Sequence, residues 1–249
     1  MKRLLMLFAL GLLGGCASAP VQVGWLVQGG CGQPSQDQEL ALNLANDMVA
    51  EGRLHAALAH LQALPANLPE VRLRQARIYR SLDRTEAGPL YRSLLGTCLT
   101  AEGHHGLGQL AAARGDQPEA LAQLREALRL APTDAKVRND LGLVFLREGR
   151  TEDARFEFLT ALELGQGDAL PALNLLSLLF YEERYQQAAD LVSRLRLPAD
   201  AVRQAEGRAR EMKRQGPGAP LATRQPEVDG PLLAGVRKAG PGTGEEVGQ

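Results

Sequence analysis

The chain contains two consecutive copies of one unit, and the spacing of these copies limits what the chain can fold into. Residues 101–134 and 135–168 align at an offset of 34 residues. Each copy consists of an amphipathic helical pattern, a turn that contains glycine, and a second amphipathic pattern. Small and large positions both recur, in the pairs Leu107 and Leu141, Gly108 and Gly142, Ala120 and Ala154, Leu124 and Phe158, and Ala127 and Ala161. A unit of this size cannot bury its apolar face alone, so the copies are expected to stack.

A helix-turn-helix repeat of 34 residues is the signature of tetratricopeptide repeats. Weaker copies flank the two strong ones: a first unit begins near Asp37, a second covers 70–95, and a fifth covers 169–195. The fifth departs from the pattern at Leu176, which replaces the repeated glycine, so its two helices are expected to be splayed. Residues 199–214 are charged and helical in pattern, as expected of a polar cap on the open end. The predicted fold class is all-α: a solenoid of about five helix-turn-helix units over 38–198, with a C-terminal capping helix.

The first fifteen residues have the pattern of a secretory signal peptide: a basic start, a short apolar run and small residues. The ending Leu13-Gly14-Gly15-Cys16 resembles the bacterial lipobox, which implies cleavage before Cys16 and lipidation of that cysteine. The alternative is an ordinary signal peptide in which Cys16 is incidental. Ala17 and Ser18 lack the aspartate of inner-membrane retention, so we expect a lipid-anchored protein on the periplasmic face of the outer membrane. Residues 16–37, with several glycines, are expected to be a flexible tether.

Two thiols remain once Cys16 is lipidated, namely Cys31 and Cys98. The periplasm is oxidising, so a disulfide between them is one expectation. Two free thiols, with Cys98 packed at a turn between repeats, are the alternative.

Charge and side-chain patterns exclude several classes of function. The formal net charge is −1 for the whole chain. It becomes more negative when the signal, which contains Lys2 and Arg3, is removed, so nucleic acid is not an expected partner. No pattern of catalytic residues, metal ligands or phosphate-binding loops is present, and His104 and His105 are adjacent and point apart on a helix. We therefore expect no enzyme activity, no cofactor, no metal and no small-molecule substrate.

The first helix of each tetratricopeptide repeat lines the concave face of a stack. In the fourth and fifth repeats this rule predicts a partly apolar groove, which usually marks an interaction site. The candidate groove residues are Asn139, Leu143, Leu146, Leu173, Phe180 and Tyr181. The alternative is that the segment 199–214, or the tail, folds over them. The tail, 215–249, is rich in glycine and proline and is expected to be disordered, or to order around 231–233 on a partner.

The lipobox, the tether and the repeats together resemble the TadD-like lipoproteins of the tight-adherence (Flp) pilus system. Residues 106–164 are most similar, including Asn139-Asp140-Leu141-Gly142. The resemblance implies a pilotin-like scaffold that helps an outer-membrane secretin, or another pilus-assembly component, to reach or assemble in the membrane. Two alternatives stay open: a pilotin of type IV pili, which usually has six repeats, and an envelope adaptor that docks cell-wall enzymes or outer-membrane assembly factors.

Overall fold

The computed structural model describes residues 32–165 and 168–216, and every regular element among them is an α-helix. The helices in these ranges are α1 (Gln36–Ala50), α2 (Leu54–Gln62), α3 (Pro69–Ser81), α4 (Ala87–Arg92), α5 (Thr100–Ala113), α6 (Gln117–Leu130), α7 (Ala135–Arg147), α8 (Thr151–Leu164), α9 (Ala169–Tyr181), α10 (Tyr185–Leu195) and α11 (Ala199–Gln215). The predicted all-α solenoid is confirmed. The predicted signal peptide, Cys16, most of the tether and nearly all of the tail lie outside the described residues.

Consecutive helices pair into five antiparallel units, α1–α2, α3–α4, α5–α6, α7–α8 and α9–α10, and α11 follows them. Within each unit we call the first helix A and the second helix B. Helices A of neighbouring units also touch one another, from α1 through α3, α5 and α7 to α9. The surface that these helices share is called the helix-A face below. None of the helices in the described ranges has the length and hydropathy that crossing a membrane requires.

The turn between helix A and helix B has the same backbone in all five units. One residue takes a positive φ in each turn: Gly52, Asp83, Gly115, Gly149 and Glu183. Glycine adopts this conformation without steric cost, whereas Asp83 and Glu183 adopt it with a side chain. This residue marks the same position in every repeat, so residues of the five helices A can be compared by counting back from it.

Helix A lies close to helix B where the repeat has glycine. A Cβ atom added to Gly108 would lie 2.8 Å from Cγ of Leu124, and one added to Gly142 would lie 2.6 Å from Cε1 of Phe158. Both large side chains are fully buried. The 34-residue spacing of glycine and large residue therefore produces the tight pairing of α5 with α6 and of α7 with α8.

The second unit has a shorter helix B than the sequence pattern predicts. A helix is expected over 85–95, but α4 covers only Ala87–Arg92. The chain leaves the helix in a turn at Gly96, which has a φ of 84°. The hydroxyl of Thr97 donates to the carbonyl of Leu94 at 2.6 Å and stabilises this turn.

The fifth unit opens as Leu176 predicts. Leu176 occupies the position of Gly108 and Gly142 and is fully buried. Val192, which corresponds to Leu124 and Phe158 in α10, is only partly buried. Helix α9 packs more extensively against α11 than against α10. Because α9 is apolar on all sides, it needs this second neighbour to be shielded from water.

Candidate protein-binding face

Three of the six predicted groove residues are not available to a partner. Asn139 and Leu173 are 2% exposed and Leu146 is 7% exposed, so the prediction that they line an open strip is wrong. Leu143, Phe180 and Tyr181 are partly buried and pack against the same core cluster. The sequence rule places all six on helix A correctly, but the surface around α9 is closed.

The physical reason is the position of α11. Its buried side chains Ala201, Ala205 and Met212 belong to the same cluster as Leu173. Lys213 of α11 also donates to the carboxylate of Glu183, which follows α9, at 2.7 Å. Of the alternatives that the sequence left open, the covering of the α9 part of the face by the segment 199–214 is the one observed.

A chain of side-chain hydrogen bonds joins α7, α9 and α11 beneath this cover. The amide of Asn174 donates to Oδ1 of Asn139 at 2.8 Å, and Arg208 donates to Oδ1 of Asn174 at 3.2 Å. Asp140, Asn174 and Arg208 are each separated by 34 residues. Helix α11 therefore keeps the register of a helix A, although it lacks a helix B of its own within the described residues.

The rest of the helix-A face, formed by α3, α5 and α7, has a different chemistry. Arg74, Arg77 and Arg80 follow one another at intervals of three residues, which places them along one side of α3. Arg74 donates to Oδ1 of Asn46 on α1 at 3.0 Å. This side of α3 therefore faces the preceding helix A. Burial and the positive charge of Arg77 lower the pKa of Arg74, and Glu70 offsets part of this effect.

Asp140 lies at the centre of this region. Its Oδ2 atom accepts hydrogen bonds from Nε2 of His105 and from Nε2 of Gln109, both at 2.7 Å. Burial alone raises the pKa of Asp140, but the hydrogen bond and charge of His105, the hydrogen bond of Gln109 and the charge of Arg80 outweigh it. The pKa of Asp140 therefore lies below its usual value, and the carboxylate is charged at neutral pH.

A fourth arginine approaches the same region from α7. Arg147 donates from Nη1 to the carbonyl oxygen of Ala112, near the end of α5, at 2.8 Å. Burial lowers the pKa of Arg147, and the negative charge of Asp140 acts in the opposite direction. The Nε atoms of Arg80 and Arg147 are both buried without a hydrogen-bond partner.

We call Arg74, Arg77, Arg80 and Arg147 the open arginine surface. None of the four forms an ion pair with a described residue. Elsewhere in the described ranges Arg138 is paired with Glu157 and Arg155 with Glu182, whereas other arginines, such as Arg72 and Arg114, also have no ion pair with a described residue. The open arginine surface is thus an accumulation of positive charge on a chain whose net charge is slightly negative.

The sequence analysis did not find the open arginine surface. The interval of three residues along α3 was a visible signal, but the rule for groove positions was applied only to the fourth and fifth repeats. The histidines, by contrast, lie between helices or at the surface: His60 contacts the carbonyl of Ala41, and His104 contacts Gln123. The described residues hold no group of three or more potential metal ligands.

Comparison with known proteins identifies the family. Residues 108–149 match the model of the tetratricopeptide repeat. The chain is 46% identical over 230 residues to the TPR repeat-containing protein PA4299 of Pseudomonas aeruginosa, in an alignment that covers 92% of this chain and 93% of that protein. This chain belongs to the tetratricopeptide-repeat protein family.

Solved structures of tetratricopeptide-repeat proteins share the fold. The protein TTC0263 of Thermus thermophilus superposes with a TM-score of 0.59 at 22% identity, over 70% of this chain and 97% of that one. PilF of Pseudomonas aeruginosa superposes with a TM-score of 0.53 at 21% identity, over 73% of this chain and 92% of PilF. At these identities the likeness concerns the fold. Tetratricopeptide repeats act as scaffolds for protein–protein interaction, and repeat solenoids commonly use their extended concave surface for it.

The predicted cysteine chemistry falls mainly outside the described ranges. Cys98 is disulfide-bonded, and its sequence position is in the turn between α4 and α5. No second cysteine occurs among the described residues. The pairing of Cys98 with Cys31 and the lipidation of Cys16 stay predictions.

Proposed function

We propose that this protein is a lipid-anchored scaffold of the bacterial envelope that serves assembly of a tight-adherence (Flp) pilus. In this proposal Cys16 carries the lipid and holds the protein on the periplasmic face of the outer membrane. The tether at 16–37 lets the repeats reach a nearby protein, and the helix-A face binds it. The partner proposed is the secretin channel of the pilus, or another component that assembles with it.

The observation that carries the proposal is the contrast between the two parts of the helix-A face. Over α9 it is apolar and largely covered by α11. Over α3, α5 and α7 it carries polar and charged side chains, of which Arg77 is exposed and Arg80, His105 and Arg147 are partly buried. A repeat solenoid with a covered end and a charged inner surface suits the capture of a segment of another protein. The lipobox sequence and the resemblance to TadD-like lipoproteins support the location and the pilus system.

Lipidation at Cys16 has a clear physical consequence. Each buried methylene contributes about 0.8 kcal/mol, and two or more acyl chains hold a protein on a membrane durably, whereas one chain does not. The anchor would keep the repeats near the membrane in which the secretin assembles. The scaffold then acts by raising the local concentration of its partner's binding segment.

The test is affinity purification of the full-length, lipidated protein from its native envelope, followed by mass spectrometry. The proposal expects a secretin of the tight-adherence system, recovered with the wild type and lost with Cys16→Ser because the protein leaves the membrane. Recovery of a type IV pilus secretin would move the protein to that system. Recovery of cell-wall hydrolases without any secretin would replace the pilus role with that of an envelope adaptor.

A further inference from the structure

The first helix of the solenoid presents an apolar pair to water. Leu40 of α1 is 70% exposed, and Leu44, about one turn further on, is 45% exposed. Asp37 precedes this pair and Asp47 follows it. The intervals of three, four and three residues place all four side chains along one side of the helix. We call Asp37, Leu40, Leu44 and Asp47 the α1 edge.

The repeat position that Leu40 occupies is buried in every other unit. Leu40 lies twelve residues before Gly52, the residue with positive φ in the turn of the first unit. In the other four units the same count leads to residues that are all buried, namely Val71, Gly103, Val137 and Pro171. The exposure of Leu40 therefore comes from its place at the start of the stack.

Helix B of the preceding unit covers this position in the later units. A Cβ atom added to Gly103 would lie 3.0 Å from the backbone oxygen of Tyr91 in α4 and 3.1 Å from Cβ of Leu94, which follows α4. Val71 of α3 belongs to the same core cluster as Leu61 of α2. Each later helix A packs against the helix B before it, whereas no helix precedes α1 among the described residues. The α1 edge is thus a packing position that a helix fills elsewhere in the stack.

The α1 edge differs in charge from the same side of the other helices A. Asp47 lies five residues before the turn and is exposed. At this position the later helices A have apolar side chains that are buried or partly buried, namely Ile78, Leu110, Val144 and Leu178. Asp37 is exposed as well, and neither aspartate forms an ion pair with a described residue. Helix α1 contains no lysine or arginine, so a molecule on this edge meets an apolar centre with a negative charge at each end.

We propose that the α1 edge binds an amphipathic helix of the partner protein, which packs ahead of α1 as a helix B does in the later units. This inference rests on the proposed function in so far as the protein acts by binding another protein, and it adds a contact to the helix-A face. The helix that fits has apolar side chains at intervals of three and four residues, which contact Leu40 and Leu44. It also has a lysine or arginine near each end, which pairs with Asp37 or Asp47.

Charge complementarity selects this occupant over others. Two copies of α1 packed against each other would bring the aspartates of both edges together, which is unfavourable. A head-to-tail copy would place α10 ahead of α1. Helix α10 has the exposed Arg194 at the repeat position of the buried Leu94, so this copy would set a charge against Leu40. The chain's own residues 17–31 contain no charged side chain and would leave both aspartates unpaired.

The test is photo-crosslinking in isolated envelopes that contain the full-length, lipidated protein. The photoreactive amino acid p-benzoylphenylalanine replaces Leu40, and in the matched control it replaces Glu163, an exposed residue of α8. Mass spectrometry of the adducts identifies the crosslinked protein and the segment that reacted. The proposal expects an adduct from position 40 with a segment of another protein that has the apolar spacing and the basic ends described above. The control position should not give this adduct.

Several results would overturn the proposal. These are an adduct with a second copy of the chain, an adduct with the chain's own residues 17–31, an adduct with a segment that lacks lysine and arginine, and the same adduct from both positions. The absence of any adduct from position 40 also overturns it, because Leu40 is exposed and a bound helix would lie against it.

A second measurement tests the role of the charges. Asp37→Asn/Asp47→Asn removes both charges and nearly preserves the size of the side chains. The control Glu163→Gln/Asp190→Asn removes two charges from exposed positions of α8 and α10. At low salt and a fixed short irradiation, the adduct from position 40 should fall at least about threefold in the first variant and less than about 1.5-fold in the control. Equal yields from the two variants overturn the proposal. Circular dichroism of each purified variant checks that it is folded.

Failure of this inference can be told apart from failure of the proposed function. Recovery of a secretin by affinity purification, without an adduct from position 40, keeps the pilus role and rejects the α1 edge as a binding site. An adduct with a basic amphipathic helix of a protein outside the pilus system keeps the binding site and rejects the pilus role.

Discussion

Asp140 of α7 accepts a hydrogen bond from Nε2 of His105 on α5 at 2.7 Å, across the boundary between two repeats. The Asp140 side chain is 19% exposed and that of His105 is 13% exposed, so water screens the contact poorly. The two residues lie 35 positions apart in the sequence, one more than the repeat period. The pair thus joins two neighbouring helices A, α5 and α7, within the face that we propose as the binding surface.

Replacement of Asp140 by asparagine is expected to destabilise the fold in a pH-dependent way. His105, Gln109 and Arg80 lower the pKa of Asp140 in the folded protein, so its stabilisation is complete above the unfolded value of about 3.9 and is lost as the pH falls through the folded pKa. At pH 7 Asp140→Asn should lower the free energy of unfolding by about 1–3 kcal/mol. Urea denaturation at a series of pH values measures the effect.

The matched control for this prediction is Glu163→Gln, which removes a carboxylate from an exposed position of α8. The difference between the wild type and Asp140→Asn should shrink as the pH falls below about 4, whereas Glu163→Gln should remain close to the wild type throughout. A difference for Asp140→Asn that stayed constant from neutral to acidic pH would show that packing, and not charge, holds this contact.

Gly142 is expected to tolerate no side chain. The Cβ atom of Gly142→Ala would lie 2.6 Å from Cε1 of Phe158, which is fully buried and cannot move away easily. Overpacking costs about 1–3 kcal/mol, which exceeds the roughly 1 kcal/mol that alanine gains over glycine inside a helix. We expect a net loss of about 1 kcal/mol or more in the free energy of unfolding, measured by urea denaturation.

Gly207 on α11 provides the opposite case, because a Cβ atom there meets nothing within 4 Å. Gly207→Ala should stabilise the protein by up to about 1 kcal/mol, or raise the protection of α11 where that helix opens alone. Adding Phe158→Leu to Gly142→Ala should recover part of the loss. Stabilisation by alanine at both glycines would mean that α7 and α8 are not held at this distance.

The repeat itself could be predicted from sequence because its determinants are local and periodic. Gly108 and Gly142 recur with the large residues that they contact, and Leu176 breaks the rule at the position where the pair opens. Whether the side chain of Leu173 is exposed or buried could not be derived in this way. Its burial depends on α11, which returns to pack against α9. Periodicity alone is compatible with both the open groove that the sequence analysis expected and the covered alternative.

The open arginine surface illustrates a second limit of the sequence. The side of α3 that carries Arg74, Arg77 and Arg80 follows from their spacing alone. The position of Arg147 relative to these three arginines depends on the distance between α7 and α3. That distance is set by the packing of α5, which lies between them. The absence of ion pairs for these four residues in the described ranges likewise becomes visible only when the neighbouring acids have been located.

Ala205→Asp is expected to release α11 from α9. Ala205 is fully buried on the side of α11 that joins the core, and a carboxylate cannot be buried there without a partner. We expect hydrogen exchange in 199–215 to rise by more than about tenfold, while α5 to α8 keep their protection. Gly207→Asp adds the same charge to the exposed side of α11 and should leave exchange there nearly unchanged. Loss of protection throughout the chain would mean that α11 is part of the cooperative core.

Cys98 is expected to be bonded to Cys31. Cys98 is disulfide-bonded, and the only other cysteines of the chain are Cys16 and Cys31. If Cys16 carries a lipid on its sulfur, Cys31 is the remaining partner within one chain. Non-reducing peptide mapping of the mature protein should therefore recover one cross-linked pair that contains residues 31 and 98.

The loop closed by this bond spans nearly seventy residues, so reduction should lower the free energy of unfolding by about 4 kcal/mol. Cys98→Ser should abolish the response to reductant. A bond to Cys16 would contradict both the pairing and the lipidation, and a bond between two chains would contradict the pairing alone.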